Sequence, residues 1–292
     1  MPVTRIGGIH LLKQILFLLC IKNNTYKGVE VDMHFIDCLN CFSECGYYNI
    51  KRLKDKTMEI LLCNFKLGEK PLIAGVLTDS DALTIKHEAI NAVDLIELRI
   101  DMFEDITLDN IETVFRSVKE NLKKPIIATV RDIKEGGQRE IADRSSIYRY
   151  IAPLSDIIDV EINSGNLLQE VKNLCHNYKK ILIGSYHNFE STPPDNVLSG
   201  IVEKGKDSGV DIVKIAVMAH NSEDLTRLLT FTLKYRDAGL ITMSMGDKGL
   251  PSRVFSPLFG SLITYGYITK PSAPGQLSVS ELMYIFRRLK IR

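Results

Sequence analysis

From Pro71 onward, the sequence repeats one pattern eight times. Each repeat pairs a short run rich in β-branched residues with a stretch whose apolar residues recur at helical spacing, as in 79–92, 108–122, 166–178 and 222–235. The runs read LIAGVL, DLIELRI, PIIATV, DIIDVEI, ILIGSY, DIVKIA, LITMSM and LITYGYI. Eight strand–helix units in about 225 residues predict an α/β fold of the (β/α)8 (TIM) barrel type. A doubly wound open sheet is the alternative, because alternation alone does not prove that the sheet closes.

Polar residues on one face of several runs favour the barrel. In the run that begins at Asp94, apolar residues alternate with Glu97, Arg99 and Asp101. The same two-residue period places further pairs on single faces: Thr129 with Arg131, Asp159 with Glu161, Ser185 with His187, and Ile212 with Lys214. A strand buried in an open parallel sheet is normally apolar on both faces. Charges near the carboxyl ends of several strands therefore predict a shared pocket at the top of a barrel.

Composition excludes several classes of partner. The chain has 37 Lys and Arg against 36 Asp and Glu, so no overall field attracts nucleic acid or an anionic membrane. The apolar stretch 11–21 is interrupted by Lys13 and Gln14 and is shorter than the roughly 20 residues of a membrane span. A signal peptide is an alternative for this stretch, although no small-residue cleavage site follows it. We predict a cytoplasmic protein with no nucleic-acid partner and no membrane association.

Residues 1–57 precede the repeating pattern and are predicted to be a poorly ordered N-terminal extension, with the catalytic barrel over 58–292. Five of the six cysteines lie in the first 63 residues, so a disulfide framework is not expected in the main body. One grouping in the extension has a spacing that could ligate zinc: His34, Cys38, Cys41 and Cys45. It lacks the flanking pattern of a known finger, and we predict no metal site. Met58 could serve as an alternative start.

Lys214 lies inside the run DIVKIA, where an unpaired ammonium would be unfavourable. A lysine that forms a Schiff base must lose its proton near neutral pH, and burial or nearby cations make this possible. The strand context supplies the burial. The other interpretation is a lysine that is paired with Glu97 or Glu161 and has a structural role.

His187 ends the preceding strand run, and a barrel would place its ring beside Lys214 as a general base. A histidine at a strand end can equally be a satisfied structural group. Glu135 lies in the loop sequence KEGG, where it could orient His187 or remain a solvated charge.

Two arginines and one loop are further candidates. Arg131 ends the strand before the KEGG loop, and Arg253 follows a glycine-rich turn. A guanidinium is a natural bidentate partner for a substrate carboxylate. The sequence SAPGQ, from Ser272 to Gln276, offers hydroxyl and amide donors after the last strand, although by itself it is typical of a turn.

From about Lys66 to Leu289, these motifs together resemble the type I 3-dehydroquinate dehydratases. The resemblance rests on ELR at 97–99, TVR and EGG within 129–137, SYHNF at 185–189, DIVKIA at 211–216, the glycine-containing stretch 245–253, GS at 260–261 and SAPGQ at 272–276. Each motif alone is weak, but their order and spacing make the match specific. One departure is Ala74-Gly75-Val76, where many members carry a polar residue.

The resemblance implies a lyase that dehydrates the small molecule 3-dehydroquinate to 3-dehydroshikimate in the shikimate pathway of aromatic amino acid biosynthesis. It implies no metal or nucleotide cofactor, and a homodimer. Lys214 would condense with the substrate ketone, His187 would move the proton, Glu135 would position His187, and Arg253 would hold the carboxylate. Substrate contacts or pocket closure are implied for five further residues: Glu97, Arg99, Arg131, Ser272 and Gln276.

Two other functions are weighed against this one. A class I Schiff-base aldolase or transaldolase is also a lysine-bearing barrel, but no glycine-rich phosphate cradle follows the last two runs, although MGDKG is similar to one. A non-catalytic binding protein could share the fold. The combined presence of Lys214, His187, Glu135 and Arg253 argues against it.

Overall fold

The structure, a computed structural model, describes residues 60–62, 65–85 and 90–291. The extension over residues 1–57 lies outside these ranges, together with the zinc spacing and the signal-peptide alternative. The division into an extension and a barrel domain therefore stays a prediction.

Eight parallel strands form one sheet that curves into a nearly closed barrel, as the sequence predicted. A short antiparallel hairpin, β1 (Leu61–Leu62) and β2 (Phe65–Lys66), precedes them. The barrel strands are β3 (Leu72–Leu77), β4 (Leu95–Arg99), β5 (Ile126–Thr129), β6 (Ile157–Glu161), β7 (Ile181–Asn188), β8 (Ile212–Met218), β9 (Leu240–Met245) and β10 (Ile263–Tyr267). From β3 to β9 each strand pairs with the next in sequence, and β10 pairs with β3.

Helices alternate with these strands. In the described ranges they are α1 (Asp79–Thr84), α2 (Leu108–Ser117), α3 (Arg144–Ile151), α4 (Asn166–Tyr178), α5 (Asp195–Ser208), α6 (Ser222–Lys234), α7 (Ser252–Leu258) and α8 (Val279–Arg288). A π turn, Val118–Leu122, extends α2 to the end of its predicted stretch. Helix α1 is shorter than predicted, because Ile85 is extended and packs against the outer core. Over the residues described, no helix is long and apolar enough to cross a bilayer.

Two layers of apolar side chains enclose the sheet. The outward strand residues pack under the helices, whereas the inward residues near the strand starts form a separate inner cluster. Ile60, Leu62 and Leu67 from the hairpin segment join this inner cluster and cover its amino-terminal end. Further along the strands the inward side chains become polar: Glu97, Thr129, Asp159, Ser185 and Lys214. The barrel is therefore apolar at its base and charged at the carboxyl ends of its strands.

The seam between β9 and β10 closes without a regular ladder in the part of the chain that is described. The Leu262 amide donates to the Leu240 carbonyl at 2.8 Å. The Ser261 hydroxyl accepts from the Thr242 amide at 3.0 Å and donates to the Ile263 carbonyl at 3.3 Å. One backbone hydrogen bond and the Ser261 side chain thus link the two strands at this seam.

Helix α7 docks onto the same seam. Its first residue, Ser252, accepts through its hydroxyl from the Ser244 amide of β9 at 2.7 Å. The Thr264 hydroxyl on β10 donates to the Arg253 carbonyl at 2.8 Å. Both flanking strands therefore fix the start of α7, and the second residue of that helix is Arg253.

Candidate active site

A cavity of about 260 Å³ opens at the carboxyl ends of the strands. All of the site residues predicted from the sequence line it: Glu97, Arg99, Arg131, Glu135, His187, Lys214, Arg253, Ser272 and Gln276. Apolar and aromatic side chains complete the wall, among them Val76, Phe189, Met243, Met245 and Tyr265. The structure thus brings together groups that lie up to 179 residues apart between Glu97 and Gln276.

Lys214 lies deep in the cavity and is only 4% exposed. Its Nζ is 2.8 Å from Asp159 Oδ2 and 3.5 Å from Glu97 Oε1. The same nitrogen lies 4.3 Å from the centre of the Tyr265 ring. The lysine is therefore ion-paired. Glu97 is one of the two partners expected from the sequence, but the nearer carboxylate is Asp159 and not Glu161.

A buried network of alternating charges extends from Lys214 toward the surface. Arg131 is 2.9 Å from Asp159 and 2.8 Å from Glu161, and it donates to the Ser185 hydroxyl at 2.6 Å. Burial would raise the pKa of Asp159, but Arg131 and Lys214 outweigh it and hold that pKa well below its usual range. Arg144 pairs with the far side of Glu161. The side-chain donors of Arg131 are thus directed mainly at protein groups, and its charge fixes the ionised state of its neighbours.

His187 and Glu135 form a close pair. The Oε2 atom of Glu135 is 3.0 Å from His187 Nδ1 and accepts the His187 backbone amide at 3.0 Å. Burial and the cations Arg131 and Lys214 lower the pKa of His187 well below its ordinary value. Burial and the nearby charge of Glu161 raise the pKa of Glu135 to about 7. The imidazole is therefore neutral at neutral pH, and Nε2 is the ring nitrogen that remains for a bound molecule.

The loop after β5 brings Glu135 to this position. A 3₁₀ turn, Ile133–Glu135, ends at Gly136, whose φ of 87° favours glycine. A Cβ on Gly136 would lie 2.4 Å from the Phe189 ring, and one on Gly137 would lie 2.5 Å from the Arg131 carbonyl. The Phe189 ring also stacks on His187, with centroids 6.4 Å apart. Gly136 thus leaves room for Phe189 to cover the histidine–glutamate pair, Gly137 lets the loop fold back onto the Arg131 backbone, and Glu135 is not a solvated loop charge.

Arg99 is held by a carboxylate that the sequence analysis did not propose for the site. Asp101, fully buried at 0% exposure, accepts two hydrogen bonds from the Arg99 guanidinium, at 2.9 and 2.7 Å. It also accepts the backbone amides of Arg131 and Gln138, each at 3.2 Å. Asp101 therefore joins β4 to both ends of the loop that carries Glu135.

Arg253 is buried, with 2% exposure, and its guanidinium has few hydrogen-bond partners in the described chain. Its Nη1 contacts Met243 Sδ at 3.1 Å, while Nε and Nη2 have no hydrogen-bond partner in the described chain. Burial lowers its pKa to about 10, so it is still a cation at neutral pH. A buried cation without a partner is unfavourable, and an anion bound in the cavity would satisfy it.

The SAPGQ loop lies over the cavity. Gln276 Oε1 accepts from the backbone amide and the hydroxyl of Ser272, at 2.8 and 3.1 Å. The Pro274 carbonyl accepts the Gly246 amide at 3.4 Å. A Cβ on Gly275 would lie 2.4 Å from the Gly246 carbonyl oxygen, so glycine is needed where the two turns meet. The loop is thus attached to the turn that follows β9.

Several groups that contribute to this site were not predicted from the sequence. Asp159 and Glu161 were placed on one face of β6, and the two-residue period was a signal that could have identified them. Tyr265, Met243 and Met245 share the inward face of their strands in the same way. Their aromatic or thioether side chains are equally typical of an ordinary barrel core, and so composition gave no separate signal.

A (β/α)8 barrel with ionisable side chains at the carboxyl ends of its strands has the architecture of a barrel enzyme. The family model described as Type I 3-dehydroquinase matches residues 74–292. The chain belongs to this family and is a lyase.

Individual relatives agree with this assignment. The 3-dehydroquinate dehydratase of Thermodesulfovibrio yellowstonii is 41% identical over 222 residues, which cover 76% of this chain and 97% of that protein. The solved structure of the Aquifex aeolicus enzyme is 37% identical, with a TM-score of 0.67, and covers 74% of this chain and 98% of its own. The type I enzyme from Clostridium difficile, solved with covalently modified comenic acid, is 30% identical with a TM-score of 0.72, covering 80% and 97%.

Proposed function

We propose that this enzyme dehydrates 3-dehydroquinate to 3-dehydroshikimate through a Schiff base on Lys214. The names of its relatives support the substrate, and dehydration in the shikimate pathway follows from the family. One observation carries the mechanism: the buried amine of Lys214 shares one cavity with the neutral imidazole of His187. An amine that can attack a ketone and a base that can take a proton from the adjacent carbon are the two groups this chemistry requires.

The first stage is attack of the Lys214 amine on the substrate ketone. The ammonium first gives a proton to a neighbouring base, which returns it to the hydroxyl of the adduct, so that water leaves and a protonated imine remains. That imine carries the positive charge that the ammonium carried before. Asp159 and Glu97 are already placed beside the nitrogen, so they stabilise the new cation without rearranging.

The second stage is proton transfer by His187. The imine withdraws electrons from the adjacent carbon, so a modest base can remove its proton and leave an enamine. The enamine expels the hydroxyl group, which departs as water with the proton that His187 has just collected. Glu135 fixes the ring through Nδ1. Hydrolysis of the product imine consumes one water and returns Lys214, so the cycle releases one water overall.

Substrate binding is assigned to the remaining residues that line the cavity. Arg253, which has two guanidinium nitrogens without partners, binds the substrate carboxylate. Glu97 and Arg99 contact substrate hydroxyls, and Ser272 and Gln276 close the cavity from above. The side-chain donors of Arg131 are engaged by Asp159, Glu161 and Ser185, so we assign it an electrostatic role.

Borohydride trapping tests the Schiff base. Reduction in the presence of 3-dehydroquinate should inactivate the enzyme and leave a stable adduct on the peptide that contains Lys214. Lys214→Ala should abolish the adduct. Lys206→Ala, which changes a half-buried lysine on α5 outside the cavity, should leave it intact.

His187→Ala separates the two stages. The variant should still be trapped at Lys214, because imine formation needs the lysine, but its turnover should fall about 10²-fold or more, because the general base is lost. An adduct on a different lysine, or near-normal turnover in His187→Ala, would show that these roles are wrongly assigned.

An aldolase or transaldolase remains the alternative activity. Incubation with 3-dehydroquinate, followed by the absorbance of the conjugated enone acid, separates it from the dehydratase. The homodimer implied by the resemblance and the cytoplasmic location predicted from the sequence stay predictions, and the native mass of the full chain tests the first of them.

A further inference from the structure

Two cavity residues carry buried polar atoms that make no hydrogen bond with the described chain. Such atoms occur on Ser244, Ser256, Arg253 and Tyr265 within the described ranges. Of these four residues, Arg253 and Tyr265 line the cavity. The guanidinium of Arg253 has been assigned to the substrate carboxylate. The phenolic hydroxyl of Tyr265 is the donor that the mechanism leaves unused.

The Tyr265 side chain lies against the reacting nitrogen. Tyr265 is on β10 with 3% exposure, and its ring centre is 4.3 Å from Lys214 Nζ. A cation at this distance from an aromatic face is attracted by the electron density of the ring. The ring therefore supports the nitrogen both as an ammonium and as a protonated imine, because both carry a positive charge.

The hydroxyl of Tyr265 is a donor at every working pH. Burial and the negative charges of Glu97 and Asp159 raise the pKa of Tyr265 well above its ordinary value. A buried donor without a partner is unfavourable. A ligand oxygen placed against this hydroxyl would remove that penalty.

The neighbouring strand offers no polar side chain at this part of the wall. Tyr265 pairs with Ala74 on β3, and Val76 lies two residues further on the same face of that strand. Val76 also lines the cavity. A polyhydroxylated ring acid needs polar contacts on several sides to be oriented. Tyr265 supplies a hydrogen-bond donor beside the position that Val76 leaves apolar.

We propose that Tyr265 is a further substrate-binding residue, whose ring supports the Lys214 nitrogen and whose hydroxyl donates a hydrogen bond to an oxygen of the bound substrate. The role of the ring in supporting an imine rests on the proposed function. The hydroxyl contact requires only that the substrate occupies the cavity.

Tyr265→Phe tests the hydroxyl, because it keeps the ring and removes one atom. KM for 3-dehydroquinate should rise on the order of tenfold, the scale of one buried hydrogen bond to a ligand. The unfolding midpoint of the substrate-free variant should be unchanged or higher, because the lost hydroxyl has no partner in the protein. Tyr267→Phe is the matched control, since Tyr267 lies on the same strand but does not line the cavity.

Tyr265→Leu tests the ring. It should raise KM as Tyr265→Phe does and should also slow borohydride trapping and turnover, because the nitrogen loses its aromatic support. Trapping at Lys214 in Tyr265→Phe should proceed at the wild-type rate when the substrate is saturating.

Three results would overturn the proposal. They are an unchanged KM in Tyr265→Phe, an equal rise in Tyr267→Phe, or a lowered unfolding midpoint in Tyr265→Phe, which would mean that the hydroxyl is bonded within the protein through ordered water. Absence of any Lys214 adduct in the wild type would instead refute the proposed Schiff base. The KM comparison between the two tyrosine variants would still decide the role of the hydroxyl.

Discussion

Arg253 is a cation in apolar surroundings, with no carboxylate beside it in the described part of the chain. Its guanidinium contacts Met243, and α7 holds its backbone at the seam between β9 and β10. Without a bound anion, the buried charge destabilises the fold. With one, the same charge becomes a strong anchor. Arg253 therefore lowers the stability of the empty enzyme and raises its affinity for an anionic ligand.

Replacing Arg253 by an apolar side chain of similar length should separate these two effects. In Arg253→Met we expect KM for 3-dehydroquinate to rise by a factor that corresponds to about 2–5 kcal/mol, because the substrate carboxylate loses its charged partner. The unfolding midpoint of the empty enzyme should not fall, because an unpaired charge has been removed. Arg149→Met, at an exposed arginine of α3, is the control. An unchanged KM would place the carboxylate elsewhere.

Individual residues of the site were predictable from the sequence where a motif marked them, as were the pairings of Lys214 with Glu97 and of His187 with Glu135, but the closest partner of Lys214 was not. The period of β8 showed that Lys214 faces inward, but it could not show which inward carboxylate lies at the same level. The partner turned out to be Asp159, 55 residues away and two strands distant. Strand stagger sets that level, and stagger depends on how the whole sheet closes.

Among the elements, the loop between β5 and α3 is held in part by Asp101, a carboxylate outside it. Asp101 follows β4 and accepts the amides of Arg131 and Gln138, on either side of Glu135. The same carboxylate binds the Arg99 guanidinium through both oxygens. The geometry of Glu135, which lies between those two amides in sequence, therefore depends on Asp101.

Asp101→Asn should destabilise the protein and the loop together. We expect a loss of about 3–5 kcal/mol in the free energy of unfolding, because Arg99 would keep a buried charge without its carboxylate. Turnover should fall as well, because Glu135 would no longer be held beside His187. Asp105→Asn, at an exposed carboxylate four residues on, should change both quantities far less. Thermal unfolding and steady-state kinetics measure the two effects.

The difference in the free energy of unfolding between the wild type and Asp101→Asn should change with pH in a definite direction. Burial raises the pKa of Asp101, but the hydrogen bonds and charge of Arg99 outweigh it, so the folded-state pKa is lowered. The stability that this carboxylate contributes is therefore present above about pH 4 and is lost as the pH falls through the folded pKa. The gap between wild type and Asp101→Asn should narrow in acid. A gap that widens would contradict the assigned ion pair.

The strands were predictable as elements, and the seam helix was not. Each β-branched run identified from the sequence overlaps one observed strand, because alternation of inward and outward side chains leaves a period of two. Helix α7 has seven residues and contains Pro257, so it gives little helical signal of its own. The hydroxyl of its first residue, Ser252, accepts the Ser244 amide at the free edge of β9, and this contact fixes where the helix begins.

On the scale of the whole molecule, the barrel is closed at its base by residues that precede the repeating pattern. Ile60, Leu62 and Leu67 pack on the inner cluster of the strands. The sequence predicted a barrel rather than an open sheet from polar inward faces, and this is confirmed. It could not predict the closure at the base, because two strands of two residues have no detectable period.

Two truncated chains test where the folded unit begins. A chain that starts at Met58 should keep the unfolding midpoint and the turnover of the full protein, because all eight barrel strands and every proposed site residue lie downstream. A chain that starts at Pro71 should be much less stable, since each of three apolar side chains lost from the inner cluster contributes about 1.5–3 kcal/mol. Equal stability of the two chains would show that the hairpin is dispensable, and a loss already at Met58 would assign a structural role to the extension.

The pairing of β10 with β3 also fixes an order of events in time. Leu72 is among the first barrel residues to leave the ribosome, and its partner Ile263 is among the last. Until then one apolar edge of β3 stays unpaired, and such edges are where nascent chains aggregate. The SAPGQ loop emerges later still. Biosynthesis therefore exposes an aggregation-prone edge while the chain is still inert, and catalysis begins only after the last barrel strand and the SAPGQ loop have been made.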